Sequence, residues 1–430
     1  MEQDLKVWDR IITASFIGFV MFSIFSITLT QLSGAIGGLA WFAKSRLSGN
    51  KAKWPLGIPW LLYALACVLA VGLAVNVGQS YKSLKKLLEF FIFFWTVNCL
   101  ADTNPSEFFF WLGSRFAPGP VRMFFASIGK KSGSVSPREF FFILLIASVS
   151  LAALYGFGQA LITGVSRSTR VAGTLSHYMT FAGMLMMVGL MILSRLLFGN
   201  KLEPWAGVAL GTIVFCMLLT LTRQAWLGFV VGMFFLIFIR ERKLLLALPV
   251  LVILLQLFAP TAVNQRIASF TNLKDDSFLT RVALWRGGWE IFKDHPLTGC
   301  GFKCVDSVYS QYPEHATVLA RYKGMHNTLL QVAIDTGIVG VMTWISLWVC
   351  YLLALQKLTT PSTPNKWINL GCTSVVLGFL AGGLFEVNFY DSEVVMLLYF
   401  LMALPFATST AASSDDLDFY ASSDHAFSKN

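Results

Sequence analysis

The sequence predicts an all-α protein that crosses a membrane about twelve times and carries one large loop on the outer side. Hydrophobic residues make up 56% of its 430 residues and charged residues only 13%, which excludes an ordinary soluble protein. The hydrophobic residues fall into separate runs, most of them close to the roughly 20 residues that cross a bilayer. One long polar segment, residues 260–327, interrupts these runs late in the chain. We therefore expect a polytopic helical membrane protein whose chemistry is concentrated in that segment.

Each apolar run that approaches the thickness of the hydrocarbon core is assigned as a span. In chain order the predicted spans are 11–28, 32–43, 58–75, 84–100, 140–161, 179–197, 205–221, 225–239, 244–259, 329–355, 368–384 and 394–407. The second span is short and forms a close pair with the first. No cleavable signal peptide is predicted, because the first run has no small-residue cleavage site behind it.

Lysine and arginine residues in the short loops predict the orientation, because they collect on the cytoplasmic side of membrane proteins. The basic segments that share one side are the N-terminus, 44–53, 115–138, 195–201 and 240–243. Both termini are therefore predicted to be cytoplasmic, and the large loop to face outward. The net charge of +10 then follows from topology and requires no nucleic acid. Three lysines fall on the opposite side and argue against this orientation: Lys82, Lys85 and Lys86.

The domain organisation follows from the same pattern. Residues 1–408 are predicted to form a single transmembrane domain, with the outward loop at about 260–327. Residues 409–430 are rich in alanine, serine and aspartate, a composition typical of disordered segments. They are predicted to form a disordered cytoplasmic tail.

A helix is predicted inside the outward loop, over residues 278–295. Apolar residues recur there mostly at spacings of three and four, which indicates an amphipathic helix, and we expect it to lie against the membrane. Arg281 and Arg286 lie five residues apart, so their side chains are expected to diverge on such a helix. Pro296 and Gly299 end the pattern.

Two further arginines stand where the predicted spans meet the outer surface. Arg223 interrupts the apolar run 205–239 and marks the outward turn between two spans. A charge at that depth is costly unless it is paired or hydrated. It either anchors the turn to lipid phosphate or directs its guanidinium at a bound anion, whose oxygens its donors match. Arg170 leaves the same choice open, since an arginine at the membrane mouth also extends to lipid headgroups.

His326 and Asn327 stand at the outer mouth of the tenth span, directly after the large loop. A histidine there can titrate near neutral pH and act as a general base, or it can simply precede the helix as a polar cap-like residue. An acidic group lies on the same side, between the last two spans: Glu386, Asp391 and Glu393. These carboxylates either neutralise the arginines or supply the base.

The seven cysteines include a pair outside the apolar spans, Cys300 and Cys304. Whether they form a local disulfide stays open at this point. Their spacing has no matching second half, so it is a poor zinc signal. Neither a metal nor another cofactor is predicted. The clearest pair of outward carboxylates that would contradict this prediction is Asp391 and Glu393.

Several of these residues fall in an ordered set of motifs that resembles the O-antigen ligase and polymerase family of bacterial membrane glycosyltransferases. The motifs are Thr222-Arg223, the stretch from Arg281 to Trp289 with Ile291 and Phe292, His295-Pro296-Leu297-Thr298-Gly299-Cys300-Gly301, and His326-Asn327 with Leu329, Leu330, Asp335, Gly337 and Gly340. The resemblance covers about residues 205–351, with weaker support at 170–173 and 383–393. The family more often has Glu where this chain has Asp335.

The resemblance implies a metal-independent enzyme of the bacterial inner membrane that transfers a glycan from undecaprenyl diphosphate at the periplasmic face. Its acceptor would be a sugar of the lipid A-core, as in an O-antigen ligase, and membrane lipids would surround it. The family's diphosphate-contacting arginines match Arg223 and Arg281, with Arg170 and Arg286 as further candidates, and its presumed catalytic histidine matches His326. Asn327, Glu386 and Asp391 are expected to support the site.

Three other functions stay open on the sequence alone. An O-antigen polymerase would extend the lipid-linked glycan, and a third variant would transfer the glycan to protein. A polysaccharide transporter or flippase is the alternative from a different class. It predicts ionisable residues at mid-membrane depth and repeated, broken helices, whereas the charges here gather at the outer rim.

Overall fold

The computed structural model describes residues 2–49, 51–116, 119–166, 168–201, 203–247, 249, 253, 257, 259–269, 275–360, 363 and 365–408. Within these ranges all regular secondary structure is helical, as the sequence predicts. The predicted tail, 409–430, and most of the ninth predicted span, 244–259, lie outside the described residues.

The helices follow the apolar runs closely. The α-helices of the described ranges are α1 Glu2–Phe22, α2 Ile27–Ser48, α3 Gly57–Gly72, α4 Val77–Tyr81, α5 Phe91–Cys99, α6 Pro105–Phe116, α7 Gly119–Ser132, α8 Pro137–Thr163, α9 Tyr178–Phe198, α10 Pro204–Leu219, α11 Arg223–Arg240, α12 Thr261–Ala268, α13 Asp276–Asp294, α14 Val305–Val308, α15 Ala316–Tyr322, α16 Thr328–Leu358, α17 Lys366–Gly383 and α18 Ser392–Ala403. The 3-10 helices are Leu84–Phe90, Leu100–Asp102, Arg242–Ala247, Tyr309–Gln311 and Asn388–Tyr390.

Four helices of the described residues are long and apolar enough to cross a membrane: α8, α9, α11 and α16. Shorter apolar helices are α3, α10 and α18. The protein is therefore a helical membrane protein, while the count of twelve spans and the side on which the loop lies stay predictions.

Two predicted spans differ from the helices that form. The first was expected to reach residue 28, but α1 ends at Phe22 and α2 begins at Ile27, because the Ser26 hydroxyl caps α2 by accepting from Leu29 N at 3.4 Å. The span 84–100 is divided into a 3-10 helix followed by α5. Its first half carries Lys86, whose Nζ donates to the backbone carbonyl of Tyr390 instead of facing lipid.

The helices group into two compact units, and the single domain expected from the sequence stays a prediction. The first comprises Met1–Pro55, Phe91–Ser148 and the chain from Tyr399, and the second comprises Leu56–Phe90 and Val149–Leu398. The first unit has an aromatic core in which the rings of Phe16 and Trp95 stack at 3.8 Å. The second unit contains the predicted site residues.

Close helix packing in the second unit depends on small residues. A Cβ at Gly228 of α11 would lie 2.5 Å from the carbonyl oxygen of Gly378 in α17, and one at Gly378 would lie 2.6 Å from that of Gly228. Only glycine permits this approach, which is how membrane helices commonly gain packing contact. The crossing holds together α11, which begins at Arg223, and α17, which ends three residues before Glu386.

A break in α16 positions the end of the outward loop. Gly337 has φ +64° and ψ −166°, which interrupts the helix. The loop segment after α13 satisfies backbone groups beside the break. Ile338 N donates to the carbonyl of Pro296 at 2.8 Å, and Cys300 N donates to that of Ile334 at 2.9 Å. A broken helix is tolerated at membrane depth when protein supplies such partners.

The outward loop has a hydrophobic core of its own. The predicted helix forms as α13, but its buried residues Leu284 and Ile291 pack against other loop residues and against Ile334 of α16. Part of the apolar face is thus buried within the protein, and the expectation that the helix lies against the membrane stays a prediction. Leu279 and Trp289 remain 51% and 54% exposed. The loop is therefore a folded part of the second unit, because many of its apolar residues pack against one another.

Candidate active site

His326 is paired with a carboxylate at the mouth of α16. Its Nδ1 lies 3.0 Å and 3.2 Å from the two carboxylate oxygens of Glu386, which is 60 residues further along the chain. The backbone of His326 is in the left-handed region, with φ +45°. The next residue, Asn327, caps α16, its side chain accepting from Leu330 N at 2.9 Å. The helix start thus holds the histidine in a backbone conformation that few residues adopt readily.

Glu386 is itself held in place on several sides. Its carboxylate accepts from Val387 N at 3.2 Å, and its backbone carbonyl accepts from the Thr328 hydroxyl at 2.8 Å. Burial alone would raise the pKa of Glu386, but the hydrogen bond from His326, the Val387 amide and Arg281 together lower it below the usual value. The group is therefore a carboxylate near neutral pH. Because folding lowers this pKa, its contribution to stability is present above the unfolded value and is lost as the pH falls through the folded value.

A cavity of about 300 Å³ opens beside this pair. Its polar lining residues are His177, Gln224, His326, Glu386, Asn388 and Asp391. Its apolar lining residues include Met179, Met186, Phe379, Val387 and Val394. A pocket with mostly apolar walls and a few convergent polar groups is the usual form of a small-molecule site, and this volume is at the lower end of the usual range.

Arg281, on α13, lies close to Glu386, which lines the cavity. Its Nε donates to the carbonyl of Phe385 at 3.1 Å, and its Nη1 to the carbonyl of Ser277 at 3.3 Å. Burial lowers the pKa of Arg281, and the nearby charge of Glu386 opposes that shift. Its Nη2 makes no hydrogen bond to the residues that the structure describes. The guanidinium is therefore oriented by backbone carbonyls and keeps donor capacity beside the His326–Glu386 pair.

Arg223 has a different environment, in which its donors meet protein groups. Its Nη1 donates to the Ser269 carbonyl and hydroxyl oxygens at 3.1 Å and 3.2 Å, and its Nη2 to Asp275 at 3.1 Å and Ser277 at 2.8 Å. Burial would raise the pKa of Asp275, but the Ser277 hydroxyl and Arg223 lower it. Arg223 thus ties the start of α11 to the start of α13, a role that neither interpretation of the sequence included.

This tie predicts a stability defect for Arg223→Ala. The side chain of Asp275 is 3% exposed, so removing its partner leaves a buried carboxylate, which typically costs about 3–5 kcal/mol. Thermal unfolding of the purified protein in detergent measures the loss. Arg286→Ala is the matched control, because Arg286 is an exposed arginine, and surface changes usually stay within about 0.5 kcal/mol. An Arg223→Ala protein as stable as the control would contradict the structural role.

The remaining predicted arginines are divided between the site and the surface. The Arg170 guanidinium lies over the ring of Tyr178, 4.6 Å from its centroid, and Tyr178 is within electrostatic reach of Arg281. Arg170 therefore stands near the candidate site. Arg286 is exposed and does not line the cavity, which agrees with the expected divergence from Arg281.

Asp391 also lines the cavity, so the alternative base stays geometrically possible. Its carboxylate accepts from the Thr180 hydroxyl at 2.5 Å and from Val394 N at 3.4 Å. Through these two hydrogen bonds, Asp391 connects α9 to the start of α18. Within the part of the chain that the structure describes, no group of three or more metal-ligating side chains is placed to hold an ion.

Sequence reasoning missed several residues of this site. His177, which stands at the entrance of an apolar run, lines the cavity together with His326. Gln224 lines it as well, and its position next to Arg223 was the available signal. The open question on the cysteines is answered, since the structure joins Cys300 and Cys304 in a disulfide, with their Cα atoms 5.7 Å apart.

The central part of the sequence is similar to a known protein family. Residues 206–345 match the model of a family described as O-antigen ligase. The chain is similar to the O-antigen ligase family over this central segment. The match confirms the resemblance seen in the sequence and supports a membrane glycosyltransferase of the O-antigen ligase or polymerase type. No curated protein matches the chain significantly.

The matched segment of the O-antigen ligase family contains much of the candidate site. Arg223, Arg281, Arg286, His326 and Asn327 all lie within it. Other residues that line or flank the cavity lie outside it: Arg170, His177, Glu386, Asn388 and Asp391. The tertiary structure therefore brings residues from both sides of the family segment to one cavity.

Proposed function

We propose that the protein is a glycosyltransferase that moves a glycan from undecaprenyl diphosphate to a sugar of the lipid A-core, as an O-antigen ligase. The single observation that carries the proposal is the His326–Glu386 pair beside a cavity, with Arg281 close to Glu386. The match to the O-antigen ligase family supports it.

The proposed base follows from the hydrogen bond of His326. When Nδ1 donates to the Glu386 carboxylate, the neutral ring keeps a lone pair on Nε2. The acceptor hydroxyl oxygen attacks the anomeric carbon of the donor sugar, and Nε2 takes the hydroxyl proton. The bond between that carbon and the diphosphate oxygen breaks, and its electron pair leaves with the diphosphate. Glu386 stabilises the imidazolium that forms, and the proton then passes to the released diphosphate or to water.

The leaving group requires positive charge at the diphosphate. Arg281 is a preorganised donor whose other nitrogens are already bound to backbone carbonyls, so little reorganisation is needed as negative charge develops. Arg170 is proposed as a second contact, and Arg223 as the residue that positions α13 and hence Arg281. Arg286 stays a weaker candidate, because it is exposed on the loop.

The direct test of the proposed function is a transfer assay in reconstituted membranes with a lipid-linked glycan donor and a lipid A-core acceptor. We expect glycan transfer to the acceptor and release of undecaprenyl diphosphate. Transfer should persist with EDTA, because arginines rather than a metal meet the diphosphate charge. Elongation of the lipid-linked glycan without transfer to lipid A-core would instead assign a polymerase. Loss of activity in EDTA with rescue by a divalent ion would contradict the metal-independent mechanism.

The proposed site is on the periplasmic side of the bacterial inner membrane, with both termini in the cytoplasm. A cysteine introduced at Asp276, the first residue of α13, is therefore expected to react with a membrane-impermeant thiol reagent added from outside. A cysteine introduced at Lys243 is the matched control and should react only after the inner membrane is opened. The reverse labelling pattern would overturn the orientation and, with it, the proposed donor.

A further inference from the structure

Two histidines line the same cavity with complementary hydrogen-bonding states. The Glu386 carboxylate accepts from Nδ1 of His326, so in the neutral ring Nε2 is the acceptor. His177 is arranged in the opposite way, because its Nδ1 accepts from Met179 N at 3.3 Å. A neutral imidazole carries one proton, so the proton of His177 is on Nε2, which is a donor. One histidine of the cavity is thus equipped to take a proton, and the other to donate a hydrogen bond.

His177 lies against Tyr178, a tyrosine that is close to two arginines. Its ring stacks on Tyr178 with the centroids 4.5 Å apart, and Arg170 lies over the same tyrosine at 4.6 Å. Arg281 is within electrostatic reach of that tyrosine as well. His177 is therefore connected through Tyr178 to Arg170 and Arg281, the positive charge proposed to hold the diphosphate, and Arg281 also lies beside Glu386, the partner of His326.

We propose that His177 is a further catalytic residue, whose Nε2–H donates a hydrogen bond to the leaving diphosphate oxygen. This inference rests on the proposed function. As the bond from the anomeric carbon to that oxygen breaks, the electron pair moves onto the oxygen and the hydrogen bond from His177 strengthens. No proton leaves His177, since the acceptor hydroxyl proton is taken by His326. The donor thus acts where negative charge develops, as a residue of an oxyanion hole does.

The test must separate this role from that of a helix cap, because His177 also caps α9. Asparagine is among the best N-cap residues, so His177→Asn keeps the cap while its shorter side chain cannot reach the position of Nε2. We expect its kcat for glycan transfer to fall about a hundredfold or more, with the donor KM changed much less. Its unfolding temperature in detergent should match that of the wild type. His177→Ala should lose both the cap and the activity.

His315→Asn is the matched control, since His315 pairs with Glu290 on the loop at 3.7 Å and does not line the cavity. It should transfer glycan at the wild-type rate. Wild-type transfer together with full activity of His177→Asn would overturn the role of His177 and leave the proposed function intact. Wild-type protein that neither transfers glycan nor is stabilised by undecaprenyl diphosphate would overturn both. Loss of kcat in His177→Asn at unchanged stability supports the proposal.

Discussion

Replacing His326 with asparagine or alanine is expected to abolish most glycan transfer while leaving the protein folded. A general base contributes about a hundred- to ten-thousandfold to rate, and neither replacement can accept the acceptor proton. Asparagine is the more informative variant, because it tolerates the positive φ of this position and can still donate to Glu386. We expect donor binding to persist, since the proposed diphosphate contacts come from Arg281 and Arg170. Transfer rate and donor-induced thermal stabilisation of the same preparations separate the two effects.

Variants of the two carboxylates test whether the general base is His326 or an acidic residue. Glu386→Gln keeps a hydrogen-bonding partner for Nδ1 but removes the charge that stabilises the imidazolium, so transfer should fall less than in the histidine variants. Asp391→Asn should retain most activity, because that carboxylate is bound to Thr180 and to the start of α18. If Asp391→Asn loses transfer while His326→Asn keeps it, the base is Asp391 and the histidine is structural.

Gly337→Ala is expected to destabilise the fold of the second unit strongly. At this position a Cβ would lie 2.2 Å from the carbonyl oxygen of Leu297, far inside contact distance. The backbone also has φ +64° with ψ −166°, a region that is essentially restricted to glycine. Backbone strain alone costs about 1–3 kcal/mol, and the clash adds to it, so we expect a loss of at least about 3 kcal/mol. The hydrogen bond from Ile338 N to Pro296 O would be disturbed as well.

Gly211→Ala provides the comparison for this measurement. Gly211 lies inside α10, and a Cβ there would meet nothing within 4 Å. Alanine has the higher helix propensity, so this change should leave the unfolding temperature equal or slightly higher. Thermal unfolding in detergent and the yield of membrane-inserted protein compare the two variants. A Gly337→Ala protein as stable as Gly211→Ala would mean that the break in α16 is not required for folding.

Much of the helical organisation could be predicted from the sequence, because it depends on local patterns. The bounds of α9, α10 and α11 fall within two residues of the predicted spans, since an apolar run and its polar flanks are contiguous in the chain. The loop helix was also predicted from its three- and four-residue spacing. Its partner was not, because periodicity shows that a face is apolar but not what that face packs against.

The members of the candidate site could be listed from the sequence, but their roles required the tertiary structure. His326, Glu386 and Arg223 were singled out as charged or titratable residues near the ends of apolar runs, and Arg281 as an arginine of the helix in the large loop. The structure pairs His326 with Glu386 and directs Arg223 at Asp275. The structure also brings His177 to the cavity that His326 lines.

The sequence by itself determined that this is a helical membrane protein with one long polar segment, and it was sufficient to recognise the resemblance to the family. These properties come from composition, from apolar runs and from the order of short motifs, all of which are local along the chain. Tertiary structure alone decided which carboxylate accepts a hydrogen bond from His326 and which groups accept hydrogen bonds from Arg223. It also decided how the Pro296–Cys300 segment satisfies the break at Gly337. The reason is that these contacts join residues tens of positions apart, and only the packing of the helices brings them together.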